Sequence, residues 1–149
     1  NDEEICKALV TMWAQIGLKV SLNARPRATY FPKIQKNDTS AYLLGWGVPT
    51  FDALYSLQSL ARTVGKDGDG NFNLGRVSNP AFDKLVDAMK SETDQKKRNQ
   101  IIAEALMMHN QNVMHIPLHN QVIPWAMRKN VTVVHRADNR LSAEWVKID

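Results

Sequence analysis

The chain has 149 residues, 44% of them hydrophobic, with nineteen basic and fifteen acidic side chains giving a net charge of +4. That length favours one domain, and that apolar fraction excludes global disorder. The single cysteine, Cys6, excludes an internal disulfide and any multi-cysteine zinc site, and no window reaches the roughly 18–20 apolar residues that span a bilayer.

The first element in chain order is a helix. Ile5, Ala8, Leu9, Met12, Trp13 and Ile16 recur at helical spacing and predict one buried stripe, with Cys6 as a small hydrophobe beside it. Asp2, Glu3 and Glu4 suit the positive end of the helix dipole, and Gly17 is placed as its stop. The chain opens at Asn1 without a methionine and enters this helix almost at once, which suggests an excised fragment. Leu18, Val20 and Leu22 then alternate with polar residues as a strand with one buried face would. Thr29 is placed to cap a short helix through Ile34 to Lys36, with Pro32 in its first turn.

Residues 41–46 read as a second, more apolar strand, so the rhythm predicts a βαβ unit with parallel strands. That topology puts Gly45-Trp46-Gly47 at the carboxyl end of the second strand, where ligands of open α/β sheets tend to bind. Thr50 is placed to cap the next helix, whose stripe is Ala53, Leu54, Leu57 and Leu60. Residues 63–79 hold four of the seven glycines and read as a long surface loop.

Asn79-Pro80 is a strong helix start, followed by Phe82, Leu85, Val86 and Met89 as a buried face. Thr93-Asp94 starts a further helix with Ile101, Ile102, Ala105, Leu106 and Met108 or His109 inward. Beyond Val113, short β-prone runs at 116–118, 122–127, 131–134 and 144–148 predict a β-rich tail. The fold class read from this pattern is mixed α/β.

Catalytic and metal patterns are weak throughout. His115 and His119 have the spacing of a helical zinc pair, but Pro117 breaks that helix, and in a strand they lie about 13 Å apart. Asp67-Gly68-Asp69-Gly70-Asn71 resembles the start of a calcium loop, yet Phe72 and Ser78 occupy its glycine and glutamate positions. It reads as a solvated turn. Asp83 and Asp87 read as a charged helix face, and no nucleophile, base and oxyanion donors assemble. No metal, nucleotide or other cofactor is expected. The basic clusters (Arg25 with Arg27, Lys96-Lys97-Arg98, Arg128-Lys129) are short and scattered, as on a solvated surface. The rival reading is a basic nucleic-acid-binding module, which would associate with RNA or DNA in a salt-sensitive way.

Three segments, in order, resemble a known family: residues 41–47 with Asp52 beyond, Asn71 to Leu85 (a polar turn, then Val77 to Leu85), and Glu92 to Arg98 followed by a long helix and Ile116-Pro117-Leu118. Together they are similar to the C-terminal part of extracellular solute-binding proteins of the peptide/nickel class, which serve ABC importers. The resemblance implies a non-catalytic, periplasmic, two-lobed receptor that closes over a peptide-like ligand and presents it to a membrane permease. Residues 1–113 would form most of one lobe, and 114–149 a return segment towards the hinge and the other lobe. Gly45, Trp46 and Gly47 match the segment that runs along the ligand, where an extended peptide pairs as an added strand. The aspartate that holds the peptide amine falls at Pro49, which offers no such carboxylate. Asp52 matches a later aspartate, with Ala53 in place of the usual proline. The alternative roles for these residues are packing for Trp46, tight backbone geometry for the glycines, and helix-terminal stabilisation for Asp52.

Overall fold

The computed structural model describes residues 2–149. In chain order it contains α1 (Asp2–Gln15), α2 (Arg27–Gln35), α3 (Ala53–Ser56) running into a π-helical turn (Leu57–Ala61), α4 (Pro80–Ser91), α5 (Gln95–Gln111), β1 (Val131–Val133) and β2 (Val146–Ile148). The class is mixed α and β. Contacts divide the chain into two units, Asn1–Met114 and His115–Asp149.

The core of the first unit is helical and lies late in its sequence. Leu57, Ala61, Phe82, Val86, Met89 and Ala105 are buried together, with Ala53, Leu54, Leu85, Ile101, Ile102, Met108 and Met114 packed around them. Helix α4 starts as expected: the Asn79 side chain accepts from the amides of Ala81 and Phe82, and Pro80 takes the first turn. Helix α5 is capped by Asp94, which accepts from the Lys97 amide. Leu106, expected inward, is 48% exposed, because the α4 contact is filled by Ile101, Ile102, Ala105 and Met108.

Several expectations are corrected. The apolar stripe of α1 is not buried: no residue of that helix is inaccessible, Cys6 is only half-buried, and Met12 and Ile16 stand well out. Helix α2 begins at Arg27, two residues before Thr29, so Pro32 falls inside it rather than in its first turn. The helix at 53 is capped by Asp52, not Thr50. The parallel βαβ pairing is not formed, since neither 18–22 nor 41–46 has a strand beside it. Alternation fits a residue to a sheet face, but a ladder also needs a second backbone in register. In the tail only 131–133 and 146–148 pair, antiparallel, with Val131 opposite Ile148; residues 116–118 and 122–127 remain irregular.

The loop over 63–79 lies at the surface, with Lys66, Asp67, Gly68 and Asn71 exposed, yet it is tightly organised. Asp69 and Asn73 are its buried polar residues, 8% and 2% exposed. Asn73 Nδ2 donates to the carbonyls of Arg62 and Val77, and its Oδ1 accepts from the Val77 amide. The Gly70 amide donates to the Gln58 carbonyl and the Phe72 amide to that of Ser59, so the loop is bonded onto the π-helical turn. Asp83 accepts from the Thr63 amide and Asp87 pairs with Arg62, so these α4 carboxylates anchor the loop rather than merely solvate the helix.

Gly70 has φ +64°, and an added Cβ would lie 2.3 Å from the Arg62 carbonyl oxygen. Gly70→Ala is expected to cost about 2–4 kcal/mol, from overpacking and a left-handed alanine together. Gly68→Ala, also at positive φ but in open space, should cost only about 1 kcal/mol. Urea-unfolding midpoints of the two variants check the difference; equal costs would contradict the steric argument.

Candidate functional site

The segment 41–47 lies outside regular structure but is held at defined points. The Tyr30 hydroxyl, from α2, donates to the Leu43 carbonyl at 2.6 Å. The Tyr42 hydroxyl reaches the backbone of Gly75. Burial raises the pKa of both phenols, which keeps them protonated. Trp46 Nε1–H donates to Ser56 Oγ at 3.1 Å. Its ring stacks on Tyr55 with centroids 5.4 Å apart and meets Phe72 edge-on at 5.2 Å. Offset and edge-to-face geometries of this kind add to the burial of the rings themselves.

Trp46 is therefore half-buried, as a packing residue with accessible surface. Gly45 and Gly47 are exposed, and a Cβ added to either would meet nothing within 4 Å. Neither has a positive φ, so tight geometry does not explain them. Among the described residues, no N–H or C=O of 44–47 has a hydrogen-bond partner in the chain. The site thus presents a run of free main-chain donors and acceptors beside an aromatic cluster.

Pro49 is exposed and occupies the second position of a turn closed by the Phe51 amide on the Val48 carbonyl, at 3.1 Å. Asp52 is fully engaged. Its Oδ1 accepts from the Leu54 amide at 2.8 Å and from Arg98 Nη2 at 3.0 Å, while Oδ2 lies 2.9 Å from Arg98 Nη1. Arg98 also donates from Nε to the Met89 carbonyl, so one guanidinium ties α3 to α4 and α5. The Arg98 hydrogen bonds, then the Leu54 amide, hold the Asp52 pKa below the ordinary aspartate value of 3.8.

Sequence reasoning found Trp46, both glycines, Pro49 and Asp52 as one stretch. It missed Tyr30, Ser56, Tyr55, Phe72 and Arg98, which come from four other segments. Only Phe72 carried a signal, as a lone aromatic ring in a polar loop.

Di/tripeptide-binding protein 3 of Pseudomonas aeruginosa is 29% identical over 131 residues, covering 88% of this chain and 24% of that protein. A dipeptide-binding protein from another strain of the same species gives the same figures. Heme-binding protein A of Haemophilus influenzae is 26% identical over 112 residues, covering 74% of this chain and 20% of that protein. The chain spans about a quarter of the length of the curated relatives it matches first. No protein-family model matches it, and no solved structure matches it significantly. The likeness to peptide-class solute-binding proteins, first carried by three short motifs, extends over most of the chain. Among the described residues, no helix is long and apolar enough to cross a membrane.

Asp52 and Asp87 are both held below the ordinary aspartate pKa, chiefly by hydrogen bonds from Arg98 and Arg62 respectively. Their contribution to stability is complete above the unfolded-state pKa and is lost as pH falls through the folded values. The urea midpoint should hold steady above about pH 5 and decline below about pH 4. Asp52→Asn, which keeps a cap but loses the charge, should flatten part of that decline. Asp52→Ala should lower stability at neutral pH by about 1 kcal/mol or more through the lost cap. An unchanged acid profile in Asp52→Asn would contradict the assigned ion pair.

Proposed function

We propose that this chain, a relative of peptide-class solute-binding proteins, supplies one wall of the ligand cleft in the receptor of an ABC importer. The observation that carries the reading is the unpaired main chain at 44–47 beside the Trp46 cluster. An extended peptide presents alternating N–H and C=O groups at the spacing such a segment needs, so it adds as a strand. Exposed glycines at 45 and 47 leave room for its backbone to come close.

In this reading Gly45, Trp46 and Gly47 contact ligand, Pro49 borders it, and Asp52 fixes the position of the turn that carries them. Residues 1–113 form most of one lobe and 114–149 return towards the hinge and the other. The receptor is non-catalytic, works in the periplasm, captures its peptide by closure of two lobes, and hands it to a membrane permease whose transport energy comes from a separate ATPase. Binding by one wall alone is weak, because affinity in such a site comes from enclosing the ligand.

The test is amide NMR, which detects weak binding. On adding millimolar short peptides to the isotope-labelled protein, the amide resonances of Gly45, Trp46 and Gly47 should shift saturably. Gly47→Pro, which removes one of these donors, should weaken that response about tenfold. Shifts confined to other segments, or none at all, would overturn the proposal.

A further inference from the structure

The partners of the Trp46 ring all depend on one short segment. Tyr55 and Ser56 belong to α3, and the Phe72 amide is bonded to the Ser59 carbonyl of the π-helical turn that follows. A helix of four residues does not hold itself together, because nucleation costs more than one turn returns. Its apolar side, Ala53 and Leu54 with Leu57 beyond, packs on the core, but the hydrophobic effect is non-directional and permits rotation. Direction comes from the start of the segment. Asp52 takes the Leu54 amide on its side chain at 2.8 Å and the Tyr55 amide on its carbonyl at 3.2 Å. Arg98 of α5 in turn grips both Asp52 oxygens, at 3.0 and 2.9 Å, while its Nε donates to the Met89 carbonyl of α4.

We infer that Arg98 is a positioning residue of the candidate site, setting the orientation of the Trp46 ring through Asp52 and α3. Its bearing on a ligand rests on the binding role proposed above. The Asp52 side chain keeps 38% exposure against 17% for Arg98, so the pair adds little to overall stability. What it supplies is geometry. A guanidinium meets a carboxylate through two parallel bonds in one plane, and the further bond to Met89 fixes that plane against α4. A lysine ammonium, a point charge on a flexible stem, keeps the attraction but not the orientation. Loss of Arg98 leaves the Asp52 cap in place and lets α3 turn on its core contacts, which moves Tyr55 and Ser56 beneath the ring. One member of the Lys96-Lys97-Arg98 run, read from sequence as solvated surface, thus acts on a site 46 residues earlier in the chain.

The test follows the Trp46 indole N–H by NMR in the isotope-labelled protein without ligand. Trp46→Phe identifies its resonance among those of the four tryptophans. In Arg98→Met the indole proton is expected to exchange with water about threefold faster or more, as the bond to Ser56 opens more often. Ser56→Ala, which removes the acceptor, marks the limit of that change, and Arg98→Lys should fall between wild type and Arg98→Met. Ala103→Gly, at an exposed position of α5, weakens the same helix through its backbone alone and should leave the indole rate unchanged. Should Arg98→Met fail to fold, Asp52→Asn, which keeps a cap and loses the charge, is expected to give the same acceleration. An indole rate unchanged in Arg98→Met and Asp52→Asn, or raised equally by Ala103→Gly, overturns the inference. Trialanine at millimolar concentration separates this from the binding role. Its Kd, read on the Gly45 and Gly47 amides, should rise about threefold in Arg98→Met through lost preorganisation. If trialanine moves neither amide in the wild type, the binding role fails, and the ligand-free indole rate still decides the positioning.

Discussion

The buried carboxylate of Asp69 is the constraint on which the rest of the first unit depends. At 8% exposure it would be costly to keep ionised without partners. It is met by Arg62 at 3.0 Å, by Lys90 at 3.1 Å and by Gln58 at 2.6 Å. These partners lie on the π-helical turn, at its end, and on α4, so one charge draws the loop onto two elements. Gly70 follows immediately, and its missing side chain lets the loop backbone press against Arg62 and Val64. Two residues on, Phe72 is bonded to the turn through the Ser59 carbonyl and its ring meets Trp46. Loop charge and candidate ligand surface are therefore mechanically continuous. The apolar core under α4 and α5 supplies the stable platform, and the polar clamp decides where the aromatic cluster stands.

That sequence of dependencies also explains what could be read from residues alone. Helices α4 and α5 were legible because local signals agree with global packing: Asn79-Pro80 and Asp94 cap them, and Phe82, Val86, Met89 and Ala105 share one face. The candidate stretch was legible because Gly45-Trp46-Gly47 is local. The partners of Asp52 and Asp69 were not, since Arg98 lies 46 residues from Asp52 and Lys90 lies 21 from Asp69. Spacing within one segment says nothing of such pairings. The misread strands at 18–22 and 41–46 have a different cause. Their side-chain pattern is that of a strand, but pairing is a property of two segments, and neither finds its second within this unit.

The pairing of charges has a consequence for rigidity. Asp52 and Arg98 each remove the other from the surface on offer, as do Asp69, Arg62 and Lys90. Surface ion pairs contribute little to stability in general, but a bidentate guanidinium with a second bond to a backbone carbonyl is a rigid joint. It fixes the turn at 48–52 against α5.

Unpaired main chain is ordinarily a hazard, because any exposed strand can recruit it. Here the unpaired run at 44–47 is bounded on both sides. Tyr30 holds the Leu43 carbonyl on one side, and the turn from Val48 to Phe51 closes the other. Between those two points the backbone is open, flat-sided at its glycines, and backed by a ring that cannot swing away without losing its bond to Ser56. A ligand strand laid there gains its hydrogen bonds without first ordering the segment, since both ends are already fixed. That reduces the entropic cost of binding, and such preorganisation distinguishes a recognition edge from a loose loop. Trp46 thus packs against Tyr55, Phe72 and Ser56 while Gly45 and Gly47 beside it stay exposed, and in the proposed reading the same ring meets the ligand.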